Sequence, residues 1–283
     1  MVENAKSEYL RHRALVFQAF WWKGGILMAS ESANAATYGA PGVPWLLLEP
    51  QRAFCEILSL LPALPVLASA PHGDGHPVVV LPGFMADDYS TIALREFLMR
   101  RGYAVDGWGF GRNLGPRDHL AERLEERIAE IHAASGRRVS LVGWSLGGVY
   151  AREVAKWVPD HVRSVVTLGS PFGDISRGTH VTRMLDWLRP GDPMRWDPGM
   201  VAALREPPSL PSTAIYSRTD GIAHWRACCE PDTDHTENIE VPGSHCGLGF
   251  NALVFLAVAD RLAQPEGGWE PFRRKGWANL VYG

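Results

Sequence analysis

The stretch from Arg138 to Tyr150, RVSLVGWSLGGVY, constrains the fold more than any other part of the chain. A short β-branched run, Val139 to Val142, gives way to a helical pattern from Ser145 to Trp157. A run of that length ended by glycine reads as a buried strand. The chain must therefore turn from strand to helix at Gly143-Trp144-Ser145-Leu146-Gly147, a G-x-S-x-G. In that pattern a sharp turn lifts the serine hydroxyl clear of a sheet. Glycines occupy the flanks because a Cβ there would collide with neighbouring backbone. The first N–H groups of the following helix have no intrahelical partner, so they face any negative charge that develops above the turn.

The surrounding segments keep the same rhythm. His76 to Leu81 is a strand pattern ended by Pro82-Gly83, and Thr91 to Arg101 is helical. Tyr103 to Trp108 is a second strand. In Pro116 to Ala134, Leu120, Leu124, Ile128 and Ile131 recur on one helical face, and Gly136 closes the helix. Val162 to Leu168, Ser212 to Tyr216 and Glu237 to Val241 read as further strands, and Leu248 to Leu262 as a closing apolar helix. Strands alternating with helices over short joints imply an α/β fold, with a mainly parallel central sheet and helices on both faces. The expected organisation is a helical N-terminal extension over 1–70, an α/β domain over 71–264 and a tail over 265–283 that packs on it. Within the domain, 174–211 is long for a connection and carries Val181, Met184, Leu185, Trp187 and Leu188 at helical spacing, as a lid would.

Charge and apolar runs narrow the function classes. Twenty-eight Lys and Arg against 31 Asp and Glu give a net charge of −3, so no positive field exists to hold a nucleic-acid backbone. The longest apolar stretch, Ile57 to Ala70, is too short to span a membrane, and Pro62 and Pro65 are expected to interrupt a helix there. Near the N-terminus, Lys6, Arg11 and Arg13 precede an apolar segment from Ala14 to Ala29, and Ala33-Asn34-Ala35 has the shape of a signal-peptidase site. Lys23 breaks that segment, which reads instead as an amphipathic helix of the folded protein. The expected compartment is the cytoplasm, or secretion should this segment be a signal peptide. Gly107 to Arg112 fails the G-x-G-x-x-G spacing of a dinucleotide loop and is expected to shape the rim of a site.

With its elbow in a strand–turn–helix setting, the chain from about His76 to Ala263 resembles the α/β-hydrolase superfamily, and within it the bacterial lipase/esterase-like branch. The resemblance implies a serine, then an Asp or Glu, then a histidine in chain order. It puts the base at His245, in Pro242-Gly243-Ser244-His245-Cys246-Gly247 after the last strand, with His235 as rival. It puts the acid at Asp220, in Ser217-Arg218-Thr219-Asp220-Gly221, with Asp174 as the alternative one strand earlier. The oxyanion donors it implies are the backbone N–H groups of Leu146 and Phe84, with Met85 next to Phe84 in order. Many relatives carry His-Gly where this chain has Pro82-Gly83; a backbone role survives that change. Trp144, Met85 and Trp187 are candidates to line a substrate pocket.

The activity implied is hydrolysis of a small-molecule or lipid carboxylic ester through an acyl-enzyme on Ser145, without metal or organic cofactor. Acyl transfer, thioester hydrolysis and a non-catalytic binding role on the same fold stay open, and the oligomeric state is left open. Cys228, Cys229 and Cys246 lack metal-site spacing. A disulfide from Cys228 or Cys229 to Cys246, which would brace the acid and base loops in an oxidising compartment, is favoured over a metal site, and buried thiols are the alternative.

Overall fold

Pro77–Leu81 (β1) is buried along its whole length, because a central parallel strand is covered on both faces. Its side chains alternate between two cores. Val78 and Val80 enter one with Leu94, Phe97, Val254 and Val258, and Val79 and Leu81 enter the other with Leu124, Ile128, Val149 and Val154. A fully buried side chain of this size contributes about 1.5–3 kcal/mol, so the strand is held between two apolar cores. The computed structural model describes residues 39–117, 119–173, 179–180, 198–274, 276 and 278–283.

The helices and strands, in chain order, are α1 (Val43–Leu67), β1, α2 (Ile92–Arg100), β2 (Ala104–Gly107), α3 (Leu120–Ser135), β3 (Val139–Trp144), α4 (Leu146–Trp157), β4 (Val162–Leu168), α5 (Pro198–Arg205), β5 (Ser212–Tyr216), β6 (Thr236–Glu240), α6 (Ala252–Leu262) and α7 (Ala278–Val281). The sheet runs β2-β1-β3-β4-β5-β6, and every pairing is parallel. The chain leaves β1 toward β2 and returns to β1's other side as β3. That reversal is the switch point where the loop after β1 and the turn after β3 open beside each other.

Several elements differ from the sequence expectations for local reasons. α1 does not stop at Pro62 or Pro65 but continues to Leu67. Prolines there remove bonds to the carbonyls of Leu58 and Leu61, and both of those residues are solvent-exposed, where water replaces the lost donor. The helix expected from Pro116 starts at Leu120, after His119 in the left-handed region at φ 61°. The helix expected from Leu248 is split: Leu248–Phe250 is a 3-10 turn. Asn251 then caps α6 by accepting from the N–H groups of Leu253 and Val254. The four cysteines are free thiols, so of the two alternatives left open by the sequence the structure has the unpaired one. Cys228 and Cys229 instead turn their sulfurs to the carbonyls of His224 and Trp225 within their own turn.

In the C-terminal tail, Tyr282 donates to the Leu253 carbonyl at 2.8 Å and packs edge-on against Phe272. The N-terminal apolar segment, and the part of the expected lid holding Trp187 and Trp196, lie outside the described residues. No helix among the described residues is long and apolar enough to cross a membrane.

Candidate active site

Ser145 sits between β3 and α4 at φ 53° and ψ −122°, a conformation that L side chains rarely adopt. The surroundings hold it there. Its N–H donates to the Leu168 carbonyl at the end of β4 (2.8 Å), and Gly147 passes so close to the end of β1 that a Cβ would overlap the Leu81 carbonyl. The residue types of the pentapeptide therefore follow from close approach between the elbow and the loop after β1.

Two later loops deliver the partners. His245 follows β6 and Asp220 follows β5, both at the carboxyl ends of their strands like Ser145. Ser145 Oγ lies 2.9 Å from His245 Nε2, and His245 Nδ1 lies 2.6 Å from Asp220 Oδ2. The carboxylate can only accept, so Nδ1 carries its proton and Nε2 is left to accept from the serine hydroxyl. Asp220 is fixed in turn, because its Oδ1 accepts from the N–H groups of Ile222 and Ala223 at 2.8 and 2.7 Å. All three residues are buried. Burial acts to lower the His245 pKa, but the Asp220 charge and hydrogen bond, with Glu49 behind them, outweigh it. The imidazole is held above its ordinary value.

The loop after β1 lies against the elbow: a Cβ added to Gly83 would sit 3.3 Å from Ser145 Cβ. Met85 lies in the left-handed region at φ 62° and spends its N–H on the Asn113 carbonyl at 2.7 Å. The Phe84 N–H donates to no backbone carbonyl among the described residues, and the Leu146 N–H, first in α4, has no intrahelical partner. Of the donors expected from the sequence, Phe84 and Leu146 are thus the two left available, and Met85 is not.

The other expected residues are placed as follows. His235 precedes β6, at the opposite end of the sheet, and its Nε2 lies 3.0 Å from the Pro208 carbonyl. Asp174 lies outside the described residues. Trp144 turns its indole onto Gly249 and Phe250 and donates to the His245 carbonyl at 3.0 Å, so it props the histidine loop. Met85 is 41% exposed beside the elbow loop. Among the described residues, no group of His, Cys, Asp and Glu is arranged to hold a metal.

Asn113 escapes a reading of the sequence alone. It is fully buried, donates from Nδ2 to the Pro82 carbonyl (2.9 Å), accepts the Gly115 N–H on Oδ1 (3.2 Å), and joins Met85 and Ala86 through its backbone. It fastens the loop bearing Phe84 to the Gly-rich segment after β2. A lone asparagine in such a segment carries no local signal of that task. The charges of α1, Glu49, Arg52 and Glu56, do carry one. They are the charged residues of a mostly apolar helix, and their spacing sets them on one face.

A second Asp–His–Ser chain shows why hydrogen bonds alone do not make such a site. His76 Nδ1 lies 2.6 Å from Asp74 Oδ1, and its Nε2 lies 2.8 Å from Ser140 Oγ. But Ser140 is inside β3 with no accessible surface, so no substrate can reach its hydroxyl. Burial lowers the His76 pKa despite the Asp74 hydrogen bond, with Arg163 and Arg137 adding to the drop. The imidazole is a neutral structural link.

Residues 78–280 match the model of the Alpha/beta hydrolase family. The chain belongs to that family. A methyl ester esterase acting on pimeloyl-[acyl-carrier protein], from Aliivibrio salmonicida, is 28% identical over 102 residues, 35% of this chain and 37% of its own. Thioesterase frbD from Dothideomycetidae sp. is 32% identical over 133 residues, 42% of this chain and 49% of its own. The matched stretch therefore spans half or less of these curated relatives. Among solved structures, Aspergillus fumigatus lipase B superposes with a TM-score of 0.52 at 20% identity, over 71% of this chain and 56% of that one. Bacillus licheniformis lipase BlEst2 does so at 0.51 and 15%, over 69% and 95%. At those identities the likeness is one of fold. In this family member the elbow and the loop after β1 stand where the sheet's switch point opens, and the loops after β5 and β6 reach the elbow from the same end of the sheet.

Proposed function

We propose that the chain is a serine hydrolase that cleaves carboxylic esters with apolar acyl or alcohol groups. One observation carries the reading: the unbroken chain from Ser145 Oγ through His245 to Asp220, at 2.9 and 2.6 Å, begins on a serine in the left-handed region. His245 Nε2 takes the hydroxyl proton as Ser145 Oγ bonds to the ester carbonyl carbon. Asp220 stabilises the imidazolium that results. The N–H groups of Phe84 and Leu146 hold the oxyanion. The alkoxide leaves with the proton from His245, and an acyl-Ser145 remains. Water, deprotonated by the same imidazole, then releases the acid.

The apolar preference is supported by Met85, exposed on the loop that lies against the elbow. The ester class is supported by the esterase named among the relatives. Hydrolysis of thioesters is a second reading, favoured by the thioesterase match; both reactions run through the same acyl-enzyme. The test uses p-nitrophenyl esters from acetate to palmitate beside an acyl thioester. The wild type is expected to turn over an ester, to lose that activity on Ser145→Ala and most of it on His245→Ala, and to be labelled at Ser145 by a fluorophosphonate. Equal rates in wild type and both variants would refute the assignment, and faster turnover of the thioester would move it to the second reading.

A further inference from the structure

Helix α1 lies before the residues matched by the family, yet its inner face grips the loops that carry Asp220 and His245. Glu49 Oε1 accepts the N–H of Gly221 (2.7 Å) and of His245 (3.0 Å), and its Oε2 accepts that of Cys246 (2.8 Å). Arg52 donates to the Thr219 carbonyl (2.6 Å), to Thr219 Oγ1 (2.7 Å) and to the Gly243 carbonyl (2.6 Å). Glu56 accepts from the Ser244 N–H and hydroxyl, both at 2.7 Å, and from Asn251 Nδ2 at 2.9 Å. The helix is inverted: these charges point inward while Leu47, Phe54, Leu58 and Leu61 are exposed. The loop is shaped to receive it, since a Cβ on Gly221 would fall 2.5 Å from the Trp45 backbone.

Glu49 is only 3% exposed. Burying a carboxylate is costly unless its oxygens are matched by donors, and an apolar side chain would dock a helix without that cost. What the carboxylate achieves, and an apolar group would not, is a bond to both loops at once. We propose that Glu49 is a positioning residue for the hydrolysis inferred above, clasping the Asp220 loop to the His245 loop and placing a second negative charge behind the imidazole. This rests on the ester-hydrolase reading. The 2.6 Å contact between Asp220 and His245 joins two separate connections, after β5 and after β6, and depends on their relative position. Glu49 fixes that position from the backbone side. The groups facing this cluster are Asp220, Glu56 and Cys246 from the loops and helix, Arg52 at 3.9 Å from Glu49, and His224 and Cys228 beside Asp220. The upward displacement of the His245 pKa has Glu49 among its causes, after Asp220.

The test uses the full chain with 15N-labelled histidine. NMR titration of His245 and ester kinetics are compared in wild type, Glu49→Gln and Glu49→Asp. Glu49→Gln removes the charge and turns an N–H toward a donor. The His245 midpoint is expected to fall by about half a pH unit or more, and kcat by about tenfold with KM within about threefold. Glu49→Asp keeps the charge on a shorter arm, so the midpoint should stay close to wild type while kcat falls. A Glu49→Gln midpoint equal to wild type overturns the proposal, whatever happens to kcat. Should Glu49→Gln not fold, a Glu49→Asp variant with wild-type kcat overturns it instead. A wild type that neither turns over esters nor reacts with fluorophosphonate sinks the ester reading separately, and the NMR midpoint still decides whether Glu49 acts on His245.

Discussion

Replacing Asn113 probes whether the loop after β1 supplies an oxyanion donor. Asn113→Ala deletes the bond to the Pro82 carbonyl at 2.9 Å and the bond from the Gly115 N–H at 3.2 Å. Each intramolecular hydrogen bond is worth about 1 kcal/mol net, and a buried group left unpaired costs about 1–3 kcal/mol. The Pro82 carbonyl lies two residues before Phe84, so roughly 1.5–3 kcal/mol of support for the Phe84 N–H is lost. At about 1.4 kcal/mol per decade this predicts a fall in kcat of about 10- to 100-fold. That stays below the about 100- to 1,000-fold seen when an oxyanion donor is deleted outright. KM should change little, because the bond that Phe84 makes strengthens only as the oxyanion forms. Asn113→Asp should be worse than Asn113→Ala, since it turns an acceptor toward the Pro82 carbonyl. The assay is the initial rate on p-nitrophenyl butyrate, normalised to the fraction of Ser145 labelled by fluorophosphonate. Rates within twofold of wild type in both variants would show that the loop after β1 does not depend on Asn113 and would refute this reasoning.

Two other outcomes follow from the geometry. The base must be neutral to accept the serine proton, and the His245 pKa is raised, so the acid limb of kcat/KM should have its midpoint above histidine's usual value of about 6.5. Asp220→Asn should lower both the rate and that midpoint, and a limb at or below pH 6 in the wild type contradicts the electrostatic account. Arg152 and Glu230 form a fully buried pair at 2.8 Å, with Arg152 also against Phe172 and the Leu204 carbonyl. Arg152→Met strands the Glu230 charge, at a cost of about 3–5 kcal/mol, so calorimetry should find Tm lower by roughly 6–20 °C. Adding Glu230→Leu should recover much of it, and a drop under about 3 °C in the single variant argues against a stranded charge.

The strands were legible because their signals are local. Val162–Leu168 and Ser212–Tyr216 have the bounds their apolar runs indicate, and Gly136 closes α3 in the left-handed region as a helix-ending glycine does. Pro62, Pro65 and Asn251 depart from what their neighbours in sequence indicate, because their effect depends on surroundings. Two prolines are tolerated where the freed carbonyls belong to exposed residues, and an asparagine inside an apolar run becomes a cap once the chain bends before it.

For the site, the turn and its serine follow from neighbouring residues alone. Backbone sterics within a few residues dictate which side chains can stand there, and that information is written in adjacent letters. Long-range packing sets which carboxylate meets His245, which N–H groups remain unspent, and that Glu49, 196 positions away along the chain, bonds to the His245 backbone. Those are matters of distance across the ends of six parallel strands. Short-range sterics repeat wherever the same letters occur, whereas a hydrogen bond between remote segments exists only after the sheet order has brought them within reach.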